Sequence, residues 1–281
     1  MTPAELRLEA EVLVRAGGAV LKDRFCEVRT IDFKGPGRGN LVTDADRAAE
    51  ALIIDALRRT FPEHGLLTEE SGTVSTGDLR WILDPLDGTT NYAHGVPHFC
   101  VSLAAEGPWN GGRRVLAAAT FDPLRDELFS AARGQGATLN GRRLQASSES
   151  ALDRALLCTG FPYDVQLNPD APLGLFDRLV RQARGMRRMG SAALELAWVA
   201  AGRFDGFFEF GLKPWDVAAG ALLIEEAGGS IACLDGSPWD ARCGDVVAAG
   251  PGLFGQLVGQ CRDFVATQGV VLEPFDSTRR A

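Results

Sequence analysis

Residues 81–92 have the sequence WILDPLDGTTNY, which sets two acids around a proline and ends in hydroxyl-bearing residues. The apolar run before Asp84 predicts a strand, and Pro85 is expected to stop its pairing and force a turn. Asp87 follows three residues on. Gly88 then lets backbone approach a ligand closely, and the two threonines after it supply hydroxyls. Two acids flanking a turn, with amides and hydroxyls after them, suit a metal and phosphate site.

Further acids elsewhere in the chain are candidates for the same site. Glu69 and Glu70 follow the apolar run GLLT, Asp216 begins a predicted helix, and Asp44 and Asp46 follow a capping threonine. Each has an ordinary explanation as a solvated loop charge, a helix-dipole charge or part of a capping box. An isolated Asp-Gly is likewise usually a tight turn. No single acid is therefore evidence of function.

Taken together, these carboxylates favour a site for hard cations. Mg²⁺ prefers carboxylate, carbonyl and water oxygens and keeps some of its waters when it binds a substrate phosphate. The only histidines are His64, His94 and His98, so a histidine-rich zinc site is poorly supported. Two or three Mg²⁺ ions fit better, and two of them would clamp a phosphoryl group between an attacking water and the leaving oxygen. Thr89 is placed to orient that water.

Composition narrows the class of protein. The chain has 281 residues, 46% of them hydrophobic, and a formal net charge of −8, which disfavours nucleic acid as the main partner and an anionic membrane surface. No apolar run is long enough for a membrane span, and the N-terminus lacks a secretory signal, so a cytoplasmic location is expected. The six cysteines are scattered without a CxxC pair, so we expect reduced, buried thiols and no disulfides.

The pattern of the chain predicts helices and short strands in mixed order. Capping signatures at Thr2 and Thr43 start two helices, and Asn140-Gly141 indicates a type I′ hairpin. Residues 34–40 are expected to form a mobile glycine-rich loop. The predicted strands are 65–68, 80–83, 99–105, 115–121, 127–131, 155–160, 204–210 and 245–250. The later helices are 174–183, 191–201, 214–227 and one from 253. No clean linker is visible, so we treat 1–281 as a single catalytic unit with halves 1–150 and 151–281.

Several motifs, in order, resemble the inositol monophosphatases, within the lithium-sensitive, magnesium-dependent phosphatase superfamily. They are LVTDAD (41–46), TEES (68–71), LDPLDGTTN (83–91), FDPLRDELFSAARGQGATLNG (121–141), GSAALELAWVAAG (190–202) and PWDVAAG (214–220). The resemblance covers nearly the whole chain. It implies an αβαβα five-layer sandwich, a homodimer, and direct attack on phosphorus by metal-activated water without a phosphoenzyme.

The resemblance also implies roles for individual residues. The metal ligands would be Glu69, Asp84, Asp87, Asp216 and the carbonyl of Leu86. The attacking water would be activated by Glu69, Asp46 and Thr89. The phosphate would lie on the amides of Gly88 and Thr89, and the alcohol pocket would be lined by Gly190, Ser191, Ala192 and Glu209, with Asp87 and Asp216 near substrate hydroxyls.

Rival interpretations remain at this stage. A haloacid dehalogenase-like phosphatase would carry its nucleophile in a DxDx[TV] motif, but Asp44-Ala45-Asp46-Arg47 continues with Ala48. A metal-stabilised regulatory or RNA-associated protein without turnover is the non-enzymatic alternative. Among substrates, myo-inositol 1-phosphate comes first because Glu209 suits polyol hydroxyls. Fructose 1,6-bisphosphate, histidinol phosphate and 3′-phosphoadenosine 5′-phosphate stay open, since fold analogy does not decide the substrate.

Overall fold

The structure is a computed structural model that describes residues 1–25, 31–33, 41–272 and 274–275. The predicted 34–40 loop lies outside this part of the chain. The helices are α1 Pro3–Arg24, α2 Asp44–Thr60, α3 Thr89–Ala93, α4 Asp170–Val180, α5 Ala192–Ala200, α6 Pro214–Glu226 and α7 Phe254–Gln268. The strands are β1 Ile31–Phe33, β2 Leu41–Thr43, β3 Gly65–Thr68, β4 Gly72–Ser75, β5 Arg80–Asp87, β6 Cys100–Trp109, β7 Gly112–Asp122, β8 Glu127–Ala132, β9 Gly136–Leu139, β10 Arg142–Arg143, β11 Leu156–Thr159, β12 Gly185–Arg187, β13 Gly206–Glu209, β14 Ser230–Cys233 and β15 Val246–Ala249.

The first two helices begin where the capping signatures predicted. Thr2 and Glu5 form a reciprocal capping box at α1, with Pro3 at the first helical position. Thr43 and Asp46 form the same arrangement at α2. Because a capping box supplies acceptors to amides that the helix leaves unpaired, both starts are fixed by local sequence alone.

Two sheets form the framework. The larger has eight strands in the order β10-β9-β8-β7-β6-β5-β3-β4, antiparallel except for the parallel pair β3 and β5. The smaller has five in the order β12-β11-β13-β15-β14, with β11 parallel to both of its neighbours. A separate pair, β1 and β2, precedes α2.

The helices cover both sheets and separate them. α1 and α2 pack on one face of the larger sheet, and α5 and α6 fill the space between the two sheets. α7 lies on the outer face of the smaller sheet, packed with α4. Each sheet is therefore sealed by apolar side chains on two sides, which gives the predicted αβαβα sandwich.

Some boundaries differ from the sequence prediction. β5 continues through Pro85 to Asp87, because an irregularity in its pairing with β6 accommodates the proline. The helix predicted over 174–183 begins earlier, at Asp170. The short strands β4, β10, β12 and β14 lack a pattern long enough to signal them. Asn140 and Gly141 both have positive φ between β9 and β10, as the type I′ hairpin requires.

The cysteine prediction was wrong at one pair. Cys233 and Cys243 are joined by a disulfide, with their Cα atoms 6.2 Å apart. The turn that follows β14 folds back over ten residues and brings the two positions within bonding reach, which wide sequence spacing does not reveal. Cys100, Cys158 and Cys261 are free and buried, as predicted. Cys26 lies outside the described residues.

Among the described residues, no helix combines the length and the apolar character needed to cross a bilayer.

Candidate active site

The extra residue in β5 turns its two aspartates to the same side. Asp84 is opposite Ser102, and Asp87 is opposite Cys100. Between these two pairs β5 therefore has one more residue than β6, which is a β-bulge. In a regular strand, positions three apart face opposite ways, and a bulge corrects this. The Leu86 amide donates to Asp84 Oδ1 at 3.0 Å and so fixes that carboxylate.

The third aspartate arrives from the other half of the chain. Asp216 lies in the first turn of α6, where its Oδ2 accepts the Lys213 amide at 2.7 Å. Ligand oxygens of Asp84, Asp87 and Asp216 all lie within 4.8 Å of one another. Within the described ranges, this is the one cluster of three or more potential metal ligands that meets that distance.

The raised pKa values of the clustered carboxylates indicate that a cation would stabilise their charged forms. Burial raises the pKa of Asp84 and Asp216 well above the ordinary value, and neighbouring carboxylates, Glu69 among them, raise it further. Burial likewise raises the pKa of Asp87 to about 6, although hydrogen bonds from Ser191 and a backbone amide oppose that shift. Like charges gathered in a buried place repel one another unless a cation neutralises them.

The donor atoms fit Mg²⁺. Each of the three aspartates has one oxygen held by a protein donor, which leaves the other for a cation. Glu69, at the end of β3, is outside the three-residue cluster, but its charge acts on all three aspartates. Oxygen donors without imidazole or thiolate are the set that a hard divalent cation selects.

Asp46 and Thr89 form a second unit beside these carboxylates. Asp46 is fully buried, and its Oδ2 accepts the amide of Thr43 at 2.9 Å and also its hydroxyl. The Thr89 hydroxyl oxygen lies 3.1 Å from Asp46 Oδ1 and 3.0 Å from the Leu86 carbonyl oxygen. Burial raises the pKa of Asp46 to about 6, near the range in which a carboxylate exchanges protons at neutral pH.

The N-terminus of α5 docks on Asp87. The Ser191 hydroxyl and the Ala193 amide both donate to Asp87 Oδ2 at 2.7 Å. Ser191 occupies the N-cap position but makes no cap bond of its own, because its hydroxyl serves Asp87 instead. Asp87 thus supplies the acceptor that this helix start needs, from a strand of the other half.

Glycines bring the backbones together around this junction. Gly88 has φ +96°, and a Cβ there would lie 3.0 Å from the His98 carbonyl oxygen and 3.3 Å from that of Gly190. Only glycine fits such a left-handed, crowded position without strain. The predicted residues Gly190, Ser191 and Ala192 therefore lie directly against the Asp87–Gly88 turn.

Glu209 forms the far wall of the site. It ends β13, is 8% exposed, and has a pKa raised well above the ordinary value, first by burial and then by the charges of Glu195, Asp216 and Asp87. A side chain at Gly160 would overlap its carboxylate. The structure thus brings every sequence-predicted site residue to one region.

Several residues around the site escaped the sequence analysis. Glu50 accepts the amides of Glu70 and Ser71 and so shapes the turn after Glu69. Asn91 and Glu195 hold the backbone next to Ser191. A buried acid in an otherwise apolar helix, as at Glu195, was the available signal.

Known proteins resemble this chain over nearly all of its length. Residues 3–265 match the family model described as the inositol monophosphatase family. The chain is 49% identical to the Nus factor SuhB of Pseudomonas aeruginosa over 250 residues, which cover 87% of this chain and 91% of that protein. It is 42% identical to the Nus factor SuhB of Escherichia coli, over 89% of this chain and 92% of that one.

Solved structures give the same result. An inositol monophosphatase from Anabaena superposes with a TM-score of 0.81 at 39% identity, over 97% of this chain and 98% of that one. The extragenic suppressor protein suhB from Bartonella henselae does so with a TM-score of 0.82 at 36% identity, over 89% and 96%. With the family model spanning nearly all of the sequence, the chain belongs to the inositol monophosphatase family.

Proposed function

We propose that this protein is a magnesium-dependent phosphomonoesterase that hydrolyses a small phosphorylated polyol, with myo-inositol 1-phosphate as the first candidate. The observation that carries the proposal is the convergence of Asp84, Asp87 and Asp216 within 4.8 Å beside the buried Asp46–Thr89 pair. Two or three Mg²⁺ ions bound there, with Glu69 and the Leu86 carbonyl as further ligands, would neutralise the phosphate and acidify a water.

Thr89 and Asp46 are the proposed proton acceptors. When Thr89 donates to Asp46 Oδ1, its oxygen lone pairs face outward and orient an attacking water. The water oxygen bonds to phosphorus while one of its protons passes toward this pair. The bond between phosphorus and the alcohol oxygen breaks, and the leaving oxygen takes up a proton from solvent to give the free alcohol. Asp46 is buried, so it exchanges this proton through Thr89.

Substrate contacts follow from the same geometry. The amides of Gly88 and Thr89, at the start of α3, are proposed to hold phosphate oxygens. Glu209 is proposed to accept polyol hydroxyls, with Gly190, Ser191 and Ala192 lining the side of the pocket. Fructose 1,6-bisphosphate, histidinol phosphate and 3′-phosphoadenosine 5′-phosphate are the alternative substrates. A cytoplasmic homodimer completes the proposal.

The name of the relatives favours a second candidate function. The curated relatives cited above are called Nus factors, so a regulatory or RNA-associated role is proposed as the alternative, alone or beside catalysis. The net charge of −8 weighs against a general affinity for nucleic acid, so a partner of this kind would be recognised locally.

Phosphate release by the purified protein from the four named substrates, with Mg²⁺ or with EDTA, tests both. Release that requires Mg²⁺ supports the phosphatase, and the substrate with the highest kcat/KM identifies its class. Folded protein that releases no phosphate from any of the four supports the binding role instead.

A further inference from the structure

The backbone of residues 189–191 links the two halves of the site. This segment, called here the 189–191 loop, follows β12 and leads into α5. Its Ser191 hydroxyl donates to Asp87 Oδ2 at 2.7 Å, and a Cβ at Gly88 would lie 3.3 Å from the Gly190 carbonyl oxygen. A displacement of the loop would therefore move a proposed metal ligand.

Two side chains hold this loop, one through its amide N–H groups and the other through its carbonyl oxygens. Glu195 Oε1 accepts the amides of Met189 and Gly190, both at 2.9 Å. Asn91 Nδ2 donates to the Met189 carbonyl oxygen at 2.7 Å and to the His98 carbonyl oxygen at 2.8 Å, and it also lies 3.3 Å from the Gly190 carbonyl oxygen. Both faces of the Met189–Gly190 backbone are thus tied, one by the C-terminal half and one by the N-terminal half.

Burying the carboxyl group of Glu195 destabilises the folded state unless its hydrogen bonds compensate. Glu195 is 1% exposed, it lies on a helix that is otherwise apolar, and its Oε2 has no hydrogen-bond partner among the residues that the structure describes. Leaving a polar group buried and unpaired destabilises the folded state, so a leucine would serve packing alone better. The bonds of Oε1 to the loop account for the acid. Gly190, at φ +83°, takes a conformation that these bonds help to hold.

We propose that Glu195 and Asn91 are positioning residues that clamp the 189–191 loop, so that Ser191 fixes the Asp87 carboxylate for Mg²⁺. The inference rests on the proposed function, because it assumes that Asp87 binds the metal. Neither residue is among the proposed metal ligands or the proposed substrate contacts. Partners that orient a metal ligand in this way commonly set the metal affinity.

Two substitutions of Glu195 separate the loss of its hydrogen bonds from a change in packing. Burial raises its pKa to about 8, so it is largely protonated at neutral pH. Glu195→Gln keeps an oxygen acceptor of the same size for the two loop amides. Glu195→Leu keeps the volume and removes the acceptor.

The experiment measures the Mg²⁺ dissociation constant by calorimetric titration, with kcat and KM on the same samples. Glu195→Leu and Asn91→Ala are expected to weaken Mg²⁺ binding by about 10–100-fold, the usual effect of losing such a partner. Glu195→Gln is expected to restore binding close to wild type. Glu106→Leu is the matched control, because Glu106 is buried but pairs with Arg80 and Arg113 away from the site. It should lower the Tm and leave Mg²⁺ affinity unchanged.

The possible results distinguish failure of the clamp from failure of the proposed function. Wild-type Mg²⁺ affinity in Glu195→Leu or Asn91→Ala overturns the clamp, and so does a Glu195→Gln variant that loses as much as Glu195→Leu. If Glu195→Leu does not fold, Asn91→Ala and Glu195→Gln decide the question. A wild-type protein that binds no Mg²⁺ overturns the proposed function itself, and the role of the clamp with it.

Discussion

At the scale of single residues, the Thr89 hydroxyl is the group on which the proposed proton transfer depends. It lies between the buried Asp46 and the Leu86 carbonyl oxygen. In the proposed mechanism Thr89 orients the water and the aspartates bind the metal, so the two roles can be tested separately.

Thr89→Ala is expected to lower kcat by about 10²–10⁴-fold, the usual contribution of one positioned acid–base group. Mg²⁺ affinity should change little, because the three aspartates stay in place. Thr89→Ser, which keeps the hydroxyl, should recover most of the activity. Steady-state kinetics at saturating Mg²⁺ measure both, and equal kcat in the alanine and serine variants would rule out the role of the hydroxyl.

Residues whose role is local could be predicted from the sequence, and residues whose role is set by a distant contact could not. The Asp84–Asp87 pair is recognisable because proline and glycine punctuate it within one segment. Glu195 gives only a general signal in the sequence, an acid in an otherwise apolar helix, because its partners in the 189–191 loop are brought to it by the fold. The proposed roles of Glu69, Asp216 and Glu209 came from the family resemblance, and Glu69 and Asp216 also have ordinary local explanations.

At the scale of elements, the junction of β5 and α3 is the most constrained turn of the site. Gly88 adopts φ +96° and is crowded by the His98 and Gly190 carbonyls. Gly134 has a similar φ of +77°, but a Cβ there would meet nothing within 4 Å. A residue with a Cβ would therefore meet the same kind of backbone strain at both positions, but would be crowded only at position 88.

Gly134→Ala should cost about 1–2 kcal/mol of unfolding free energy, the penalty of a left-handed alanine. Gly88→Ala should cost more and should also reduce turnover, because the added carbon pushes the 189–191 loop away from Asp87. Denaturant unfolding and phosphate release check the two effects. Equal stability loss and equal turnover in the two variants would contradict the crowding argument.

Elements with strong local signals were predicted, and short strands at the edges of the sheets were not. Capping boxes fixed the starts of α1 and α2, and the glycines after α6 marked its end. β12 and β14 lie at the edges of the smaller sheet and exist only because a neighbouring strand supplies partners. Likewise the continuation of β5 past Pro85 depends on β6, which the proline alone does not disclose.

At the scale of the whole molecule, the buried acids link stability to pH. In the metal-free protein the pKa values of Asp84, Asp216 and Glu195 lie above those of the unfolded chain. The folded state then holds protons that the unfolded state has released, so its stability falls as pH rises toward the folded pKa values. Burial lowers the pKa of His98 to about 4, which makes the folded state more stable as pH rises. This gain is complete above pH 6.5, so it does not oppose the fall at higher pH.

We therefore expect the Tm of metal-free protein in EDTA to fall between pH 6.5 and 8.5. Mg²⁺ binds deprotonated carboxylates, so the stabilisation it provides should grow over the same interval. Thermal melts with and without Mg²⁺ measure this. A metal-free Tm that rises with pH in that window would show that the acids are not held protonated by burial.

The layered architecture followed from the family resemblance, because mixed helices and short strands alone leave the stacking of layers open. The contact that unites the site, between α5 and the Asp87 turn, joins residues about a hundred positions apart, and no local pattern encodes it.

The central claim is that the Asp84–Asp87–Asp216 cluster binds Mg²⁺ and that phosphate release requires it. The most direct measurement follows phosphate release from myo-inositol 1-phosphate against Mg²⁺ concentration, with calorimetric Mg²⁺ titration, in wild type, Asp84→Asn and Asp78→Asn. Asp78 is the matched control, because it is an exposed acid just before Arg80, where β5 begins. We predict that Asp84→Asn loses both Mg²⁺ binding and turnover while Asp78→Asn keeps both; Mg²⁺-dependent turnover at the wild-type level in Asp84→Asn would contradict the account.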